Sequence, residues 1–140
     1  MTNFIPKLLK LRVGKRAKYC CEYCLFPEYL LATIFHIDHI RSIKHGGKTT
    51  FENLAYACPH CNQHKGSDIA TFVDENNELT IRFFNPRKDK WHEHFENNNG
   101  LILPKSDIAK GTIQVLNMNQ IERVIFRQAL TFAGVYPPFE

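Results

Sequence analysis

The stretch from Phe35 to Ile40, FHIDHI, places two histidines and an aspartate in an otherwise apolar run. Apolar residues that alternate with polar ones predict a strand with one buried face. Asp38 and His39 are adjacent, so their side chains would point to opposite faces of a regular strand. Both can serve one site only where the strand ends or bulges, as strands do beside active sites. His36 lies two residues before Asp38 and can share its face.

Four of the five cysteines form two C-x-x-C pairs, Cys21 with Cys24 and Cys58 with Cys61. Each such turn directs two thiolates to one point, and two turns complete a tetrahedral zinc site. Redox-active pairs or unpaired structural cysteines are the alternatives, and the repeated spacing argues against both. A site closed by four sulfurs has no open position for water, so we predict a structural zinc. Cys20 is expected to be a small buried residue.

Further polar residues accompany the second cysteine pair. In CPHCNQHKG, which we expect to be a short helix, Asn62 and Lys65 are three residues apart and share one side. His64 is the main alternative to Asn62 as a metal-binding residue of this helix. Lys65 is a candidate phosphate contact. Asn53 is either a partner of the histidine site or a turn-former that serves only the backbone.

The composition of the 140-residue chain, 44% apolar, is typical of a single globular domain. No stretch approaches the roughly 18 apolar residues of a membrane span, and the N-terminus lacks the apolar region of a signal peptide. We therefore expect a cytoplasmic protein without a membrane segment. Thiols in that compartment seldom form structural disulfides.

Positive charge is concentrated in the first half of the chain. Residues 1–70 hold ten Lys/Arg and five Asp/Glu, a net charge of +5, whereas residues 71–140 hold eight and nine, a net charge of −1. This asymmetry favours a polyanionic partner, most simply nucleic acid. Lys15, Arg16 and Lys18 are the predicted contacts, and a merely solvated basic helix is the alternative.

Hydrophobic periodicity predicts an N-terminal helix over residues 4–18, although Gly14 weakens it. A cysteine-rich turn over residues 19–27 should close at Pro27. Two strands, over 32–40 and about 53–57, should flank a loop, and a helix should run from Pro59 to about Ala70.

The second half carries the signals of a strand, a hairpin and two helices. ELTIRFF is strand-like, and WHEHFENNNGLILP predicts a hairpin around Asn-Asn-Gly. Ser106 should cap a first helix, and Asn119 with Glu122 should start a second. We expect core packing of Trp91 and Phe95. The fold class is α+β, with an N-terminal basic helix, a zinc-stapled centre over about 19–70 and an extension over about 71–140 that together form one domain.

Taken in order, CEYC, FHIDHI, HGG and ENLAYACPHCNQHKG resemble the HNH endonucleases, specifically the zinc-knuckle branch of the ββα-metal nucleases. The tail is similar to a bacterial subgroup of stand-alone HNH proteins. Ser42 departs from the family pattern, in which proline is common at this loop position.

The resemblance implies a fold of two strands and a helix around one divalent ion, Mg²⁺ or Mn²⁺. By position, Asp38 and Asn62 would be its ligands. Apart from the resemblance, His36 is a candidate additional contact to the metal or to a phosphate, or simply a polar residue at a solvent-facing position of the strand. His39 would be the general base, and Asn53 would orient it.

The function implied is hydrolysis of DNA phosphodiester bonds, most simply in double strands. A zinc-stabilised nucleic-acid-binding module without catalysis is the alternative, but it would not need Asp38, His39, Asn53 and Asn62 together. One site cuts one strand per event, so a double-strand break would need a homodimer or two encounters.

Overall fold

The basic N-terminal segment is helical from Lys7 to Arg16 (α1) in the computed structural model, which describes residues 4–76 and 78–139. Pro6, whose φ is −57°, precedes the first turn. Gly14 is buried where the Tyr19 ring packs against the helix, and a Cβ at this position would lie 2.8 Å from that ring. The helix predicted here is confirmed with shorter bounds, and its glycine permits a close approach.

Two short antiparallel strands and a helix form the centre of the molecule. Strand β1 spans His36–His39 and pairs with β2, Leu54–Ala57, so that Asp38 lies opposite Ala55. Helix α2, Pro59–Lys65, follows after Cys58, whose sulfur accepts a hydrogen bond from the Cys61 amide. The ββα order agrees with the predicted α+β fold.

The predicted bounds of two central elements are wrong. Residues 32–35, expected in the first strand, form a turn and an irregular segment before β1. Helix α2 ends at Lys65 because Gly66 has a φ of +53°, a conformation that favours glycine. Ala70, expected at the end of that helix, instead begins a strand.

In its described residues, 70–76 and 78–139, the extension contains two hairpins and three helices. Its elements are β3 (Ala70–Phe72), β4 (Thr80–Arg82), α3 (Trp91–His94), β5 (Phe95–Asn98), β6 (Leu101–Pro104), α4 (Asp107–Val115) and α5 (Ile121–Phe132). β3 pairs with β4 and β5 with β6, both antiparallel. The hairpin around Asn-Asn-Gly is confirmed, and the four residues before it form a helical turn.

One of the two predicted helix caps is confirmed. The Ser106 hydroxyl accepts a hydrogen bond from the Ala109 amide at 3.1 Å and starts α4. Asn119 does not cap α5, since its carboxamide bonds the amide and the carbonyl of Ile102, each at 2.9 Å. The cap prediction for Asn119 is therefore wrong, because the hairpin backbone takes both of its polar atoms.

The extension packs directly on the cysteine-rich turn. The Trp91 indole donates to the Tyr23 carbonyl at 2.8 Å, and the Tyr136 hydroxyl donates to the Cys24 carbonyl at 2.7 Å. Trp91 and Phe95 are buried, as expected. Within residues 4–76 and 78–139, no helix combines the length and apolar character needed to cross a bilayer.

Candidate active site and metal cluster

The two C-x-x-C pairs meet in the fold. The four sulfurs of Cys21, Cys24, Cys58 and Cys61 lie within 4.8 Å of one another, and all four residues are fully buried. The Cys24 and Cys58 sulfurs are 3.7 Å apart. Tetrahedral zinc with Zn–S bonds of about 2.3 Å needs sulfur–sulfur distances of about 3.8 Å. The cluster therefore fits a structural metal such as zinc.

Both pairs have the same local construction. The Cys24 amide points at the Cys21 sulfur at 3.5 Å, and the Cys61 amide points at the Cys58 sulfur at 3.4 Å. Such N–H contacts stabilise negative charge on sulfur. Cys20 is buried outside the cluster and bonds the Lys18 carbonyl, as expected for a residue that does not bind the metal.

Three of the candidate site residues line one open cleft. Asp38 and His39 come from the end of β1, and Asn62 comes from the first turns of α2. These three side chains contribute to a cavity of about 470 Å³. Its other lining residues are Ile37, Ser42, Ile43, Lys44, Gly66 and Ser67. Strand β1 ends at His39. The adjacent residues Asp38 and His39 can therefore serve one site, as the sequence analysis required.

Asp38 is buried at the base of this cleft and is already paired. Its Oδ2 accepts a hydrogen bond from the Tyr23 hydroxyl at 2.7 Å and lies 3.2 Å from the Lys65 ammonium. Burial raises the pKa of Asp38, and Lys65 and Tyr23 oppose that rise. The two partners, which the sequence did not indicate, offset part of the cost of burial, and the pKa of Asp38 stays above its ordinary value.

The Lys65 side chain is buried, whereas the sequence analysis predicted that it would contact phosphate. Its side chain is only 2% exposed, and the ammonium donates to the Asp38 carboxylate and to the His39 carbonyl, the latter at 2.9 Å. A buried ammonium with these partners does not reach a phosphate at the surface. The structure therefore gives no support to a contact of Lys65 with nucleic acid, which stays a prediction.

The His39 imidazole contacts the Thr49 hydroxyl, which lies 2.9 Å from Nε2. Burial lowers the pKa of His39 most, while Asp38 acts in the opposite direction and Lys65 in the same one. The net direction is downward from 6.5, so the neutral ring predominates at pH 7. A neutral ring can accept a proton.

Asn53 contacts the loop between the strands and not the His39 ring. Its carboxamide accepts from the Arg41 amide and donates to the Arg41 and Lys48 carbonyls, at 2.9, 2.9 and 2.8 Å. These bonds close the loop that carries Thr49. Any effect of Asn53 on His39 must therefore pass through the loop backbone and Thr49.

The structure separates the two candidate residues of α2. The Asn62 carboxamide lines the cleft and makes no side-chain hydrogen bond within the described part of the chain. His64 is directed elsewhere, since its Nδ1 lies 2.8 Å from the His60 carbonyl and its ring lies 4.1 Å from the His60 ring. Asn62 is the one available to the cleft.

His36 lines another cavity. That groove, of about 420 Å³, lies between α1 and β1 and includes Lys7, Lys10 and Ile34. Although His36 is two residues from Asp38, it does not line the cleft. The geometry gives no support to an additional metal contact by His36.

Of the three α1-region basic residues predicted to bind nucleic acid, two are exposed and one is partly buried. Lys15 and Lys18 are exposed. The Arg16 guanidinium donates to the carbonyls of Phe51 and Leu54 and lies 3.8 Å from the centre of the Phe51 ring. These donors hold the turn before β2, and a contact of Arg16 with nucleic acid stays a prediction.

Arg123 is a polar residue beside the cluster that the sequence did not indicate. Its Nη2 lies 3.2 Å from the Cys24 sulfur and 3.3 Å from the Cys58 sulfur. It lies 65 residues beyond Cys58, on α5, and no spacing rule connects the two.

Comparison with known proteins places the site within one family. Residues 21–68, roughly a third of the 140-residue chain, match the family model described as HNH endonuclease. The match includes β1, β2, α2 and all four cluster cysteines. No match was found among curated proteins or among solved structures. Residues 21–68 thus match the HNH endonuclease family model, and their ββα arrangement is consistent with that fold; a domain of this family implies a nuclease-type activity on nucleic acid.

Proposed function

We propose that the protein is a divalent-metal-dependent endonuclease that hydrolyses phosphodiester bonds of DNA. The observation that carries this proposal is the shared cleft of Asp38, His39 and Asn62 within the HNH segment. A carboxylate, an imidazole and a carboxamide on one open surface can act together on a phosphate and a water molecule.

His39 is the proposed general base. Its ring is neutral at pH 7 and belongs to a residue that lines the open cleft, so Nδ1, the nitrogen that does not contact Thr49, can take a proton from an attacking water. The Thr49 hydroxyl fixes the ring through Nε2. Asn53 is proposed as a positioning residue, because its three backbone bonds close the loop that carries Thr49.

Asp38 and Asn62 are the proposed ligands of a catalytic Mg²⁺ or Mn²⁺. The donor set fits a hard ion, because Asp38 and Asn62 line the same cleft and the Asn62 carboxamide makes no side-chain hydrogen bond within residues 4–76 and 78–139. Such an ion supplies charge stabilisation at the phosphate and at the leaving oxygen. Lys65 fixes the rotamer of Asp38, and Tyr23 holds the same carboxylate from the cysteine-rich turn.

The four-cysteine cluster is proposed to hold zinc in a structural role. It joins the cysteine-rich turn, whose Tyr23 hydroxyl bonds the Asp38 carboxylate, to the first turn of α2, the helix that carries Asn62. Four buried thiolates leave no open coordination position.

DNA is the proposed substrate, with duplex DNA as the simplest form. Lys15 and Lys18 are exposed on and just after α1 and can contact the phosphate backbone without reading sequence. One cleft per chain cuts one strand per event, so a homodimer would supply the second cut of a double-strand break. A cytoplasmic location stays a prediction from the sequence.

We infer that residues 1–140 act as one unit, with the nuclease segment over about 19–70 and the extension over about 71–140. The Trp91 and Tyr136 contacts with the cysteine-rich turn support this inference.

Nicking of supercoiled plasmid by the purified protein tests the proposal. We expect conversion to open circles with Mg²⁺ or Mn²⁺ and none with EDTA. Binding of the plasmid without nicking under every divalent ion would favour the non-catalytic binding module. A parallel panel of duplex DNA, single-stranded DNA and RNA identifies the preferred substrate.

A further inference from the structure

Arg123 bridges two cysteines of different C-x-x-C pairs. Its Nη2 lies 3.2 Å from the sulfur of Cys24 and 3.3 Å from the sulfur of Cys58. The guanidinium carbon lies 4.7 Å from the centre of the Phe26 ring, so the group is held between an aromatic face and two sulfurs. Arg123 belongs to α5, outside the segment that matches the HNH family.

A loaded cluster of this composition has an excess of negative charge. Four thiolates and one Zn²⁺ carry a net charge of −2, and all four cysteines are fully buried. Charge in such a site is costly unless it is paired or hydrogen-bonded. Within residues 4–76 and 78–139, Arg123 is the cationic side chain that donates to a cluster sulfur. Its charge offsets part of that excess.

The same contact should reduce the reactivity of the sulfurs. Protons, oxidants and alkylating reagents react with the electron pairs of a zinc-bound thiolate. A donor held at about 3.2 Å on two sulfurs makes those pairs less available. Cys24 and Cys58 belong to different C-x-x-C pairs. The Arg123 donor therefore also stabilises the contact between the two pairs.

We propose that Arg123 retains the metal of the cluster and shields Cys24 and Cys58 from electrophiles. The proposal requires a metal on the four cysteines, and it does not depend on nuclease activity. It assigns to the extension a role in keeping the HNH segment folded and loaded.

Packing on Phe26 is the competing explanation for the position of Arg123. Two substitutions separate the explanations. Arg123→Met keeps an unbranched apolar side chain on the Phe26 ring and removes the charge, whereas Arg123→Lys keeps the charge. A charge role predicts a defect mainly in the Met variant, and a packing role predicts none there.

The experiment is zinc release from the loaded full-length protein, followed with a chromophoric chelator, with and without hydrogen peroxide. Loss of a partner of a metal ligand typically costs 10–100-fold in metal affinity. We expect release from Arg123→Met to be about tenfold faster or more, and release from Arg123→Lys to lie between that variant and wild type. Arg82→Gln is the matched control, since Arg82 is paired with Asp89 and does not touch the cluster, and it should release zinc at the wild-type rate.

Chemical rescue gives a second test that does not depend on the Met variant. Methylguanidinium should slow zinc release from Arg123→Ala, and tetramethylammonium, which has the same charge but no N–H donor, should not. Wild-type release rates in Arg123→Met, equal rates in the Met and Lys variants, or no selective rescue of Arg123→Ala would each overturn the proposal.

Discussion

The Lys65 ammonium lies 3.2 Å from the Asp38 carboxylate, and both side chains are almost fully buried, at 2% and 4% exposed. Asp38, which would be a metal ligand of an HNH site, is thus paired with a buried lysine from α2, the helix that also carries Asn62. The pair connects the last turn of α2 to the end of β1 and fixes the base of the cleft. Its first expected consequence concerns stability.

Lys65→Met should destabilise the zinc-loaded protein by about 3 kcal/mol or more, because it leaves a buried carboxylate without its cationic partner. Urea unfolding followed by circular dichroism measures this free energy. Lys44→Met, a change at an exposed lysine of the same cleft, is the control and should stay within about 0.5 kcal/mol of wild type. Equal midpoints for the two variants would show that the Lys65–Asp38 pair contributes little.

Arg16 and Lys15 are neighbours on α1 with different expected roles. Lys15→Gln should weaken DNA binding and reduce the slope of log affinity against log salt by about 0.9, the value for one lost phosphate contact. Arg16→Gln should leave that slope unchanged and lower cleavage, because it releases the turn that leads into Asn53. Filter binding over a salt series, with nicking assays in parallel, distinguishes the effects of the two substitutions. A reduced slope in Arg16→Gln would place Arg16 at the DNA after all.

Loss of the cluster should unfold the nuclease segment. Cys58→Ser/Cys61→Ser removes two of the four sulfurs of the cluster. One of them, the Cys58 sulfur, also accepts a hydrogen bond from the Cys61 amide at the start of α2. Because structural zinc contributes folding free energy directly, we expect loss of bound zinc and of cooperative unfolding. Cys20→Ser, a buried cysteine outside the cluster, should keep its metal. About one equivalent of zinc in the double variant would contradict the assignment.

The sequence predicted the features that depend on short spacing. Two C-x-x-C turns, the Asp38-His39 pair, the Ser106 cap and the Asn-Asn-Gly hairpin all depend on residues within a few positions of one another. Local backbone geometry determines such features, so they can be recognised before the fold is known.

The sequence did not predict the partners of long cationic side chains. Arg16, Lys65 and Arg123 each bind groups that lie 26 to 99 residues away along the chain. A helix pattern predicts which residues share a face, but only tertiary packing decides whether a guanidinium or ammonium is solvated or turned inward. Asn119 was misassigned for a related reason, since its partner Ile102 lies on a hairpin.

The central claim is that His39 is the general base of the cleft, and single-turnover cleavage by His39→Ala tests it most directly. The substitution removes the proton acceptor while the Asp38–Lys65 pair, the cysteine cluster and the exposed bases stay in place. Asp38→Asn is the matched comparison, since it removes a proposed metal ligand and keeps the imidazole. Zinc content and DNA affinity of both variants serve as folding controls.

We expect His39→Ala to cleave at least about 10²–10⁴-fold more slowly than wild type, the range attributed to general-base catalysis. DNA affinity should stay near that of wild type. Raised Mn²⁺ should restore part of the cleavage by Asp38→Asn and none of that by His39→Ala. Cleavage by His39→Ala at a rate near wild type, with contaminating nucleases excluded, would contradict the assignment of His39 as the general base.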